Sequence, residues 1–265
     1  MGQTSGPPAM TPIEHPILET RGLSVRFGGH VAVNAVSCKF YPGTLTAIVG
    51  PNGAGKTTYF NLLSGQLRAT AGQVLLYGSD ITHDPAPVRT RKGLGRAFQL
   101  TNLFPFLTVS ENVRLAVQAR ARTGLNLVST WDSHTELIEK AEHFLMRVGL
   151  ADRNTALASA LSHGDQRKLE VAMLLALEPD IFMFDEPTAG MSVDEVPVIL
   201  DLIQGIRDQK DKTILLVEHK MDVVRSLSDR IVVLHQGELV ADGAPAQVIA
   251  SPIVQEAYLG ISANG

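Results

Sequence analysis

Hydrophobic positions recur along this chain with two periods, and each change of period marks an element. Ile17–Phe27 and His30–Phe40 read as strands, joined by Gly28-Gly29, a two-residue hairpin signal. Thr44–Val49 is a short apolar run that ends at Gly50. From Lys56 to Leu67, the apolar residues Phe60, Leu63 and Leu67 fall at helical spacing. Val74–Tyr77 reads as a further strand, closed by Gly78. From about Leu100 to Ala160 the pattern is helical, over Val113–Arg122 and Glu136–Val148, with no strand-like run between. That predicts a helical subdomain, about residues 100–178, inserted into a sheet core. Thr123–Ser133 fits neither period. Beyond it, helices are predicted at Asp165–Leu177, Val196–Gln209 and Met221–Ser226, and strands at Ile181–Phe184, Thr213–Val217 and Ile231–Leu234. Strands alternating with helices imply parallel βαβ units, hence an α/β fold.

Composition narrows this picture. Apolar residues make up 45 % of the 265 residues, enough for a full core and too many for a disordered chain. Residues 1–16 carry Gly2, Gly6, Pro7, Pro8, Pro12 and Pro16 and read as a tail ahead of one domain at 17–265. That tail has no apolar core, so it is not read as a signal peptide. The single cysteine, Cys38, excludes an internal disulfide and fits a reducing compartment. A net charge of −4 argues against a nucleic-acid binder. No apolar run approaches the ~18–20 residues that span a bilayer, so a tie to a membrane is expected to run through a partner.

The chemistry concentrates in three places. Gly50-Pro51-Asn52-Gly53-Ala54-Gly55-Lys56-Thr57-Thr58 matches G-x-x-x-x-G-K-[ST] between a predicted strand and a predicted helix. Glycines let successive N–H groups converge on one concavity, and the helix start adds partial positive charge, so the loop cradles phosphates. Lys56 is expected to neutralise the β/γ-phosphates, and the Thr57 hydroxyl to ligate Mg²⁺. Asp185 and Glu186 follow the apolar run Ile181–Phe184 at the strand end where open α/β sheets bind ligands. Alone, two acids there are a common way to leave a sheet. Beside a phosphate loop, one can hold Mg²⁺ through water and the other can polarise an attacking water. Leu161-Ser162-His163-Gly164-Asp165-Gln166 precedes a helix. Ser162 reads as its N-cap, or the helix start forms a second anion site. His219, Gln99 and Phe27 carry no signal by themselves.

In their order along the chain, Gly50–Thr58, Gln99, Leu161–Gln166, Ile181–Glu186 and His219 resemble the nucleotide-binding subunit of an ATP-binding cassette (ABC) transporter, over about residues 17–260. The resemblance implies a P-loop NTPase fold of ABC type, with a mixed sheet core, an antiparallel β subdomain and an inserted helical subdomain. It implies that Phe27 stacks on adenine and that Asn52, Gly53, Ala54, Gly55, Lys56, Thr57 and Thr58 hold the phosphates of ATP. It places Thr57, Gln99 and Asp185 around Mg²⁺, Glu186 as general base on water, and His219 on the γ-phosphate. Ser162 and Gly164 belong to the signature, which closes on ATP held by a second ATPase subunit in a head-to-tail sandwich. The helical insert is expected to dock two membrane permease subunits, with the apolar loop Leu100–Val109 beside it. Two departures stand out. His163 and Asp165 interrupt the usual Leu-Ser-Gly-Gly-Gln. Ala189-Gly190-Met191-Ser192 replaces the usual Ser-Ala-Leu-Asp, so an acidic dimer contact is lost, or Ser192 caps a helix starting near Val193 with Glu195 as its third residue.

Thr188-Ala189-Gly190-Met191, the Leu-Ser-His-Gly signature and the tail Val254–Gly260 look like the larger ATPase subunit of high-affinity branched-chain amino-acid importers. Such a subunit works at the cytoplasmic face of the inner membrane, with an extracytoplasmic solute-binding protein. Urea/amide importers, the lipopolysaccharide-export ATPase and a soluble non-transport ABC ATPase remain alternatives.

Overall fold

The computed structural model describes residues 15–97, 103–121 and 135–259. The hairpin forms as expected: β1 (Leu18–Phe27) and β2 (His30–Phe40) pair antiparallel across Gly28-Gly29. Then come β3 (Leu45–Val49), α1 (Lys56–Ser64), β4 (Ala71–Leu76), β5 (Ser79–Asp80), α2 (Ala86–Arg91) and β6 (Leu94–Arg96). α3 (Val109–Ala121), α4 (Thr135–Arg147) and α5 (His163–Ala176) pack on one another as a helical layer. The chain returns through β7 (Ile181–Asp185), α6 (Val196–Asp208), β8 (Thr213–Val217), α7 (Met221–Leu227), β9 (Arg230–His235), β10 (Glu238–Gly243), α8 (Pro245–Ile249) and α9 (Pro252–Leu259).

Two sheets result. An antiparallel one has the order β2-β1-β4-β5, and a mixed one the order β10-β9-β3-β8-β7-β6. Only the β9–β10 pair of the second is antiparallel. β3, β7 and β8 are buried at every position, as strands covered on both faces must be. Alternate residues then serve different cores. Ile181, Met183, Leu215 and Val217 face α1 and the antiparallel sheet, whereas Phe182, Phe184, Ile214 and Leu216 face the helical layer and α6. α1 lies between the sheets, and its Tyr59 hydroxyl bonds Thr20 of β1 at 2.9 Å inside the core.

Register places the site. Val217 pairs with both Ile48 and Asp185, so the carboxyl ends of β3, β8 and β7 lie side by side. Some boundaries differ from those predicted. α1 stops at Ser64, where Gly65 adopts a left-handed conformation (φ 78°) and caps it. β4 begins at Ala71 and ends before Tyr77, which turns with φ 50°. Within the Gly-rich stretch Gly93–Gln99, Leu94–Arg96 is an edge strand on β7. α6 begins at Val196 as the apolar pattern predicts, with Pro197 in its first turn, and not near Val193 as the Ser192-cap alternative would have it. Thr123–Ser133, Gln99 and Met1–Glu14 lie outside the described residues.

Candidate nucleotide site

The loop from Gly50 to Gly55 connects β3 to α1. A Cβ on Gly50 would sit 2.1 Å from the Leu234 carbonyl oxygen, and one on Gly55 2.5 Å from that of Ala32, with φ 155° and 95°. Only glycine fits either place. α1 starts at Gly55 with no side chain capping its first amides. The amides at that end are therefore available to an anion. Phe27, His30, Ala32, residues 52–58 and Glu186 line a cleft of about 420 Å³ over this helix start. Phe27 is half-exposed at its edge.

Lys56 turns back on its own loop. Its ammonium donates to the carbonyl oxygens of Gly50 at 2.7 Å and Pro51 at 3.1 Å. Burial pushes its pKa down from the usual lysine value, and the Glu186 and Asp185 carboxylates oppose that.

Asp185 ends β7 with its side chain fully buried. Its Oδ2 accepts from Nη2 of Arg96 at 2.8 Å, and its Oδ1 has no partner. Burial raises its pKa above the usual aspartate value, against the opposing Arg96 charge. A buried carboxylate oxygen without a donor fits a site completed by a ligand, and a water of a hydrated cation supplies that donor. No cluster of three or more His, Cys, Asp or Glu side chains able to hold a metal occurs among the described residues.

Glu186 takes φ 49°, rare for a residue with a side chain. Its amide donates to the Val217 carbonyl at 2.9 Å, and its carboxylate stands at the cleft. Nδ1 of His219, just past β8, lies 3.8 Å from Glu186 Oε1. That is too long for a direct bond.

Sequence reasoning missed Glu218. It is fully buried and accepts from the amides of His219 at 2.9 Å and Lys220 at 3.2 Å, and from the Thr188 hydroxyl at 2.8 Å. One carboxylate thus ties the turn carrying His219 to the turn after Glu186. An acid after an apolar strand was its only signal, shared with many loop residues.

The signature residues lie elsewhere. Ser162 caps α5, its hydroxyl accepting from the Asp165 amide at 3.1 Å. Gly164 is pressed against the Glu195 carboxylate, where a Cβ would approach Oε2 to 2.2 Å. Glu195 also accepts from the amide and hydroxyl of Ser192 and from Lys168. Neither Ser162 nor Gly164 lines the cleft of its own chain. A second groove, of about 300 Å³ and mostly apolar, is bordered by Leu103, Phe104, Leu115, Met173 and Leu177, with Arg96 in its wall. Phe104 and Phe106 beside it are exposed.

Comparison with known proteins agrees with this geometry. A family model for ABC transporters matches residues 33–189, and one for branched-chain amino acid ATP-binding cassette transporters matches residues 238–263. The high-affinity branched-chain amino acid transport ATP-binding protein LivG of Escherichia coli (strain K12) is 40 % identical over 253 residues, 94 % of this chain and 99 % of that protein. BraF of Pseudomonas aeruginosa, which carries the same description, is 41 % identical over the same shares. Among solved structures, a nucleotide-free ATP-binding cassette from an ABC transporter superimposes with a TM-score of 0.77 at 27 % identity, covering 92 % of this chain and 99 % of that one. The ADP conformation of the cassette MJ1267 gives 0.76 at 27 % identity over the same shares. With a phosphate loop, two strand-end acids and a family match that runs through both, the chain belongs to the ABC transporter family as one of its ATP-hydrolysing, ATP-binding subunits.

Proposed function

We propose that this subunit hydrolyses ATP to drive import of branched-chain amino acids across the cytoplasmic membrane. One observation carries the solute class: the C-terminal segment, which contains β10, α8 and α9, matches the model specific to branched-chain cassettes. The resemblance of residues 33–189 alone would fit any ABC transporter.

In this reading Phe27 packs on the adenine, and the amides of residues 52–58 bind the phosphates at the start of α1. Lys56 exchanges its two loop carbonyls for the β/γ-phosphates. Thr57, Asp185 and Gln99 would hold Mg²⁺, which when bound offsets the charge of the phosphates. Glu186 takes the proton of the attacking water, and His219, set by Glu218, orients that water against the γ-phosphate. The cleft is open, and the chain's own Ser162 and Gly164 stay outside it. A second ATPase subunit, packed head to tail, would bring its Ser162 and Gly164 equivalents onto the nucleotide. The apolar groove at Phe104 would take a cytoplasmic helix of a membrane permease subunit, one of two, served by an extracytoplasmic solute-binding protein. In this reading the chain sits at the inner face of the membrane. No helix among the described residues is long and apolar enough to cross it.

The test is uptake in cells lacking this subunit. Transport of labelled leucine, isoleucine and valine is expected to fall to the background level and to return with the wild-type chain, but not with Glu186→Gln. Unchanged uptake of all three, with loss of urea or amide uptake instead, overturns the solute assignment.

A further inference from the structure

Arg96 is a buried cation fixed by hydrogen bonds to α1 and to Asp185, and no motif points to it. It closes β6, an edge strand of three residues, and is 6 % exposed. Its Nη1 donates to Asn61 Oδ1 at 2.7 Å, Ser64 Oγ at 2.9 Å and Gln66 Oε1 at 3.0 Å. Those acceptors lie on the last turn of α1 and just past it, the helix that begins with Lys56 and Thr57. Its guanidinium carbon lies 5.5 Å from the centre of the Phe60 ring, also on α1. Its Nη2 meets Asp185 Oδ2 at 2.8 Å.

A guanidinium is planar and rigid, so fixing Nη1 fixes the direction of Nη2. α1 therefore sets Arg96, and Arg96 sets the rotation of the Asp185 carboxylate. One oxygen is committed to the arginine. The other, Oδ1, is buried and has no donor. A buried ion pair is weak grounds for stability, because removing two charges from water offsets much of their attraction. This pair also leaves Nε of Arg96 without a partner. The ion pair is therefore weak grounds for stability by itself, and its clear geometric consequence is a fixed direction for Oδ1.

We propose that Arg96 is a positioning residue for the metal-binding carboxylate, anchored on the phosphate-loop helix and holding Asp185 so that Oδ1 faces the water shell of the Mg²⁺ that accompanies ATP. The proposal rests on the reading of Asp185 as the Mg²⁺-side acid, and the test separates the two. A lysine at this position would keep the charge, but its single rotatable ammonium cannot bond α1 and Asp185 in one fixed plane. Charge compensation and positioning therefore predict different results for Arg96→Lys.

The experiment titrates Mn²⁺, by electron paramagnetic resonance, into the full chain saturated with ATP, and measures fluorescent-ATP binding in EDTA beside it. Loss of a partner that orients a metal ligand typically costs ~10–100-fold in metal affinity. Arg96→Met is expected to weaken nucleotide-supported Mn²⁺ binding at least about tenfold, and Arg96→Lys several-fold. Metal-free nucleotide affinity should stay within about threefold of wild type, since the loop amides and Lys56 are untouched. Unchanged Mn²⁺ affinity in Arg96→Lys overturns the positioning role, and Arg96→Lys alone decides if Arg96→Met does not fold. Asp185→Asn is the control for the underlying reading. If it too leaves Mn²⁺ affinity unchanged, the assignment of Asp185 fails rather than that of Arg96.

Discussion

Glu186 holds φ 49°, a backbone conformation that costs an ordinary residue ~1–3 kcal/mol. Neighbouring β-structure imposes it, because the Glu186 amide is bonded to Val217 of β8. Two outcomes follow. Glu186→Gln should keep nucleotide binding and lose ~10²–10⁴-fold in turnover, since only the proton acceptor is removed. Phosphate release, measured beside a binding titration, checks it, and retention of more than a tenth of wild-type turnover rejects Glu186 as the base. Glu186→Gly should be equally inactive yet melt higher than Glu186→Gln, because glycine accepts positive φ without strain. Equal melting temperatures would mean that the strain is not felt. Glu218 gives a further case. Truncation to alanine leaves the Thr188 hydroxyl and two loop amides without their acceptor, each worth ~1–3 kcal/mol where water cannot replace it. Glu218→Ala should therefore lower both denaturant stability and kcat, with KM for ATP moving less. The phosphate loop, Asp185 and Glu186 stood out because their residue types follow a spacing, whereas His219 was singled out only through the family resemblance. Glu218 and Arg96 were not, since a lone acid and a lone arginine become informative only when burial shows what they touch.

At the scale of elements, β3, β7 and β8 announced themselves as apolar runs because both faces of each are covered. β6, β10, α2, α8 and α9 did not. β6 is three residues long and contains Gly95 and Arg96; β10 is nowhere fully buried, so its pattern has no apolar face. The apolar pattern put the start of α6 at Val196, where it lies, but the capping reading of Ser192 would have put it near Val193. Ser192 and Glu195 have capping-box spacing, and Glu195 Oε2 does accept from the Ser192 amide at 3.1 Å and hydroxyl at 3.0 Å. That clasp closes a turn ahead of the helix rather than its first turn. It also draws the Glu195 pKa below the usual glutamate value, through the Ser192 amide first. A depressed carboxylate stabilises the fold above its unfolded pKa and stops doing so as pH falls through the folded one. The clasp should therefore persist at neutral pH and open only below about pH 4.5. Ser192→Asp would put a second carboxylate against Glu195 and remove the hydroxyl donor. It should destabilise by ~0.5–2 kcal/mol in chemical denaturation. A stabilised Ser192→Asp, with tighter ATP-dependent association in a Glu186→Gln background, would instead mark Ser192 as a relaxed dimer contact.

For the whole molecule, the open cleft and the remote signature make a prediction about concentration. If each ATP must be closed over by another chain, specific activity should rise with protein concentration and then saturate. A demonstrated monomer whose specific activity stays flat over a wide dilution range would end the sandwich reading. The layered plan, a sheet core with a hairpin on one side and helices on the other, was readable in the alternation of periods. How the cleft and the signature lie apart was not, since it depends on how layers stack. The contact of Glu195 with Gly164 acquires its meaning here. Within one chain it joins the turn that follows Glu186 to the helix start proposed to meet the neighbour's nucleotide. In a head-to-tail pair, two such contacts close a ring through both nucleotides. Equilibrium linkage around a closed ring is reciprocal: whatever factor ATP in one site confers on the other is returned unchanged. Disabling one clasp, as in a mixed dimer with a single Glu195→Gln chain, should then loosen the communication between the two sites by the same factor in either direction.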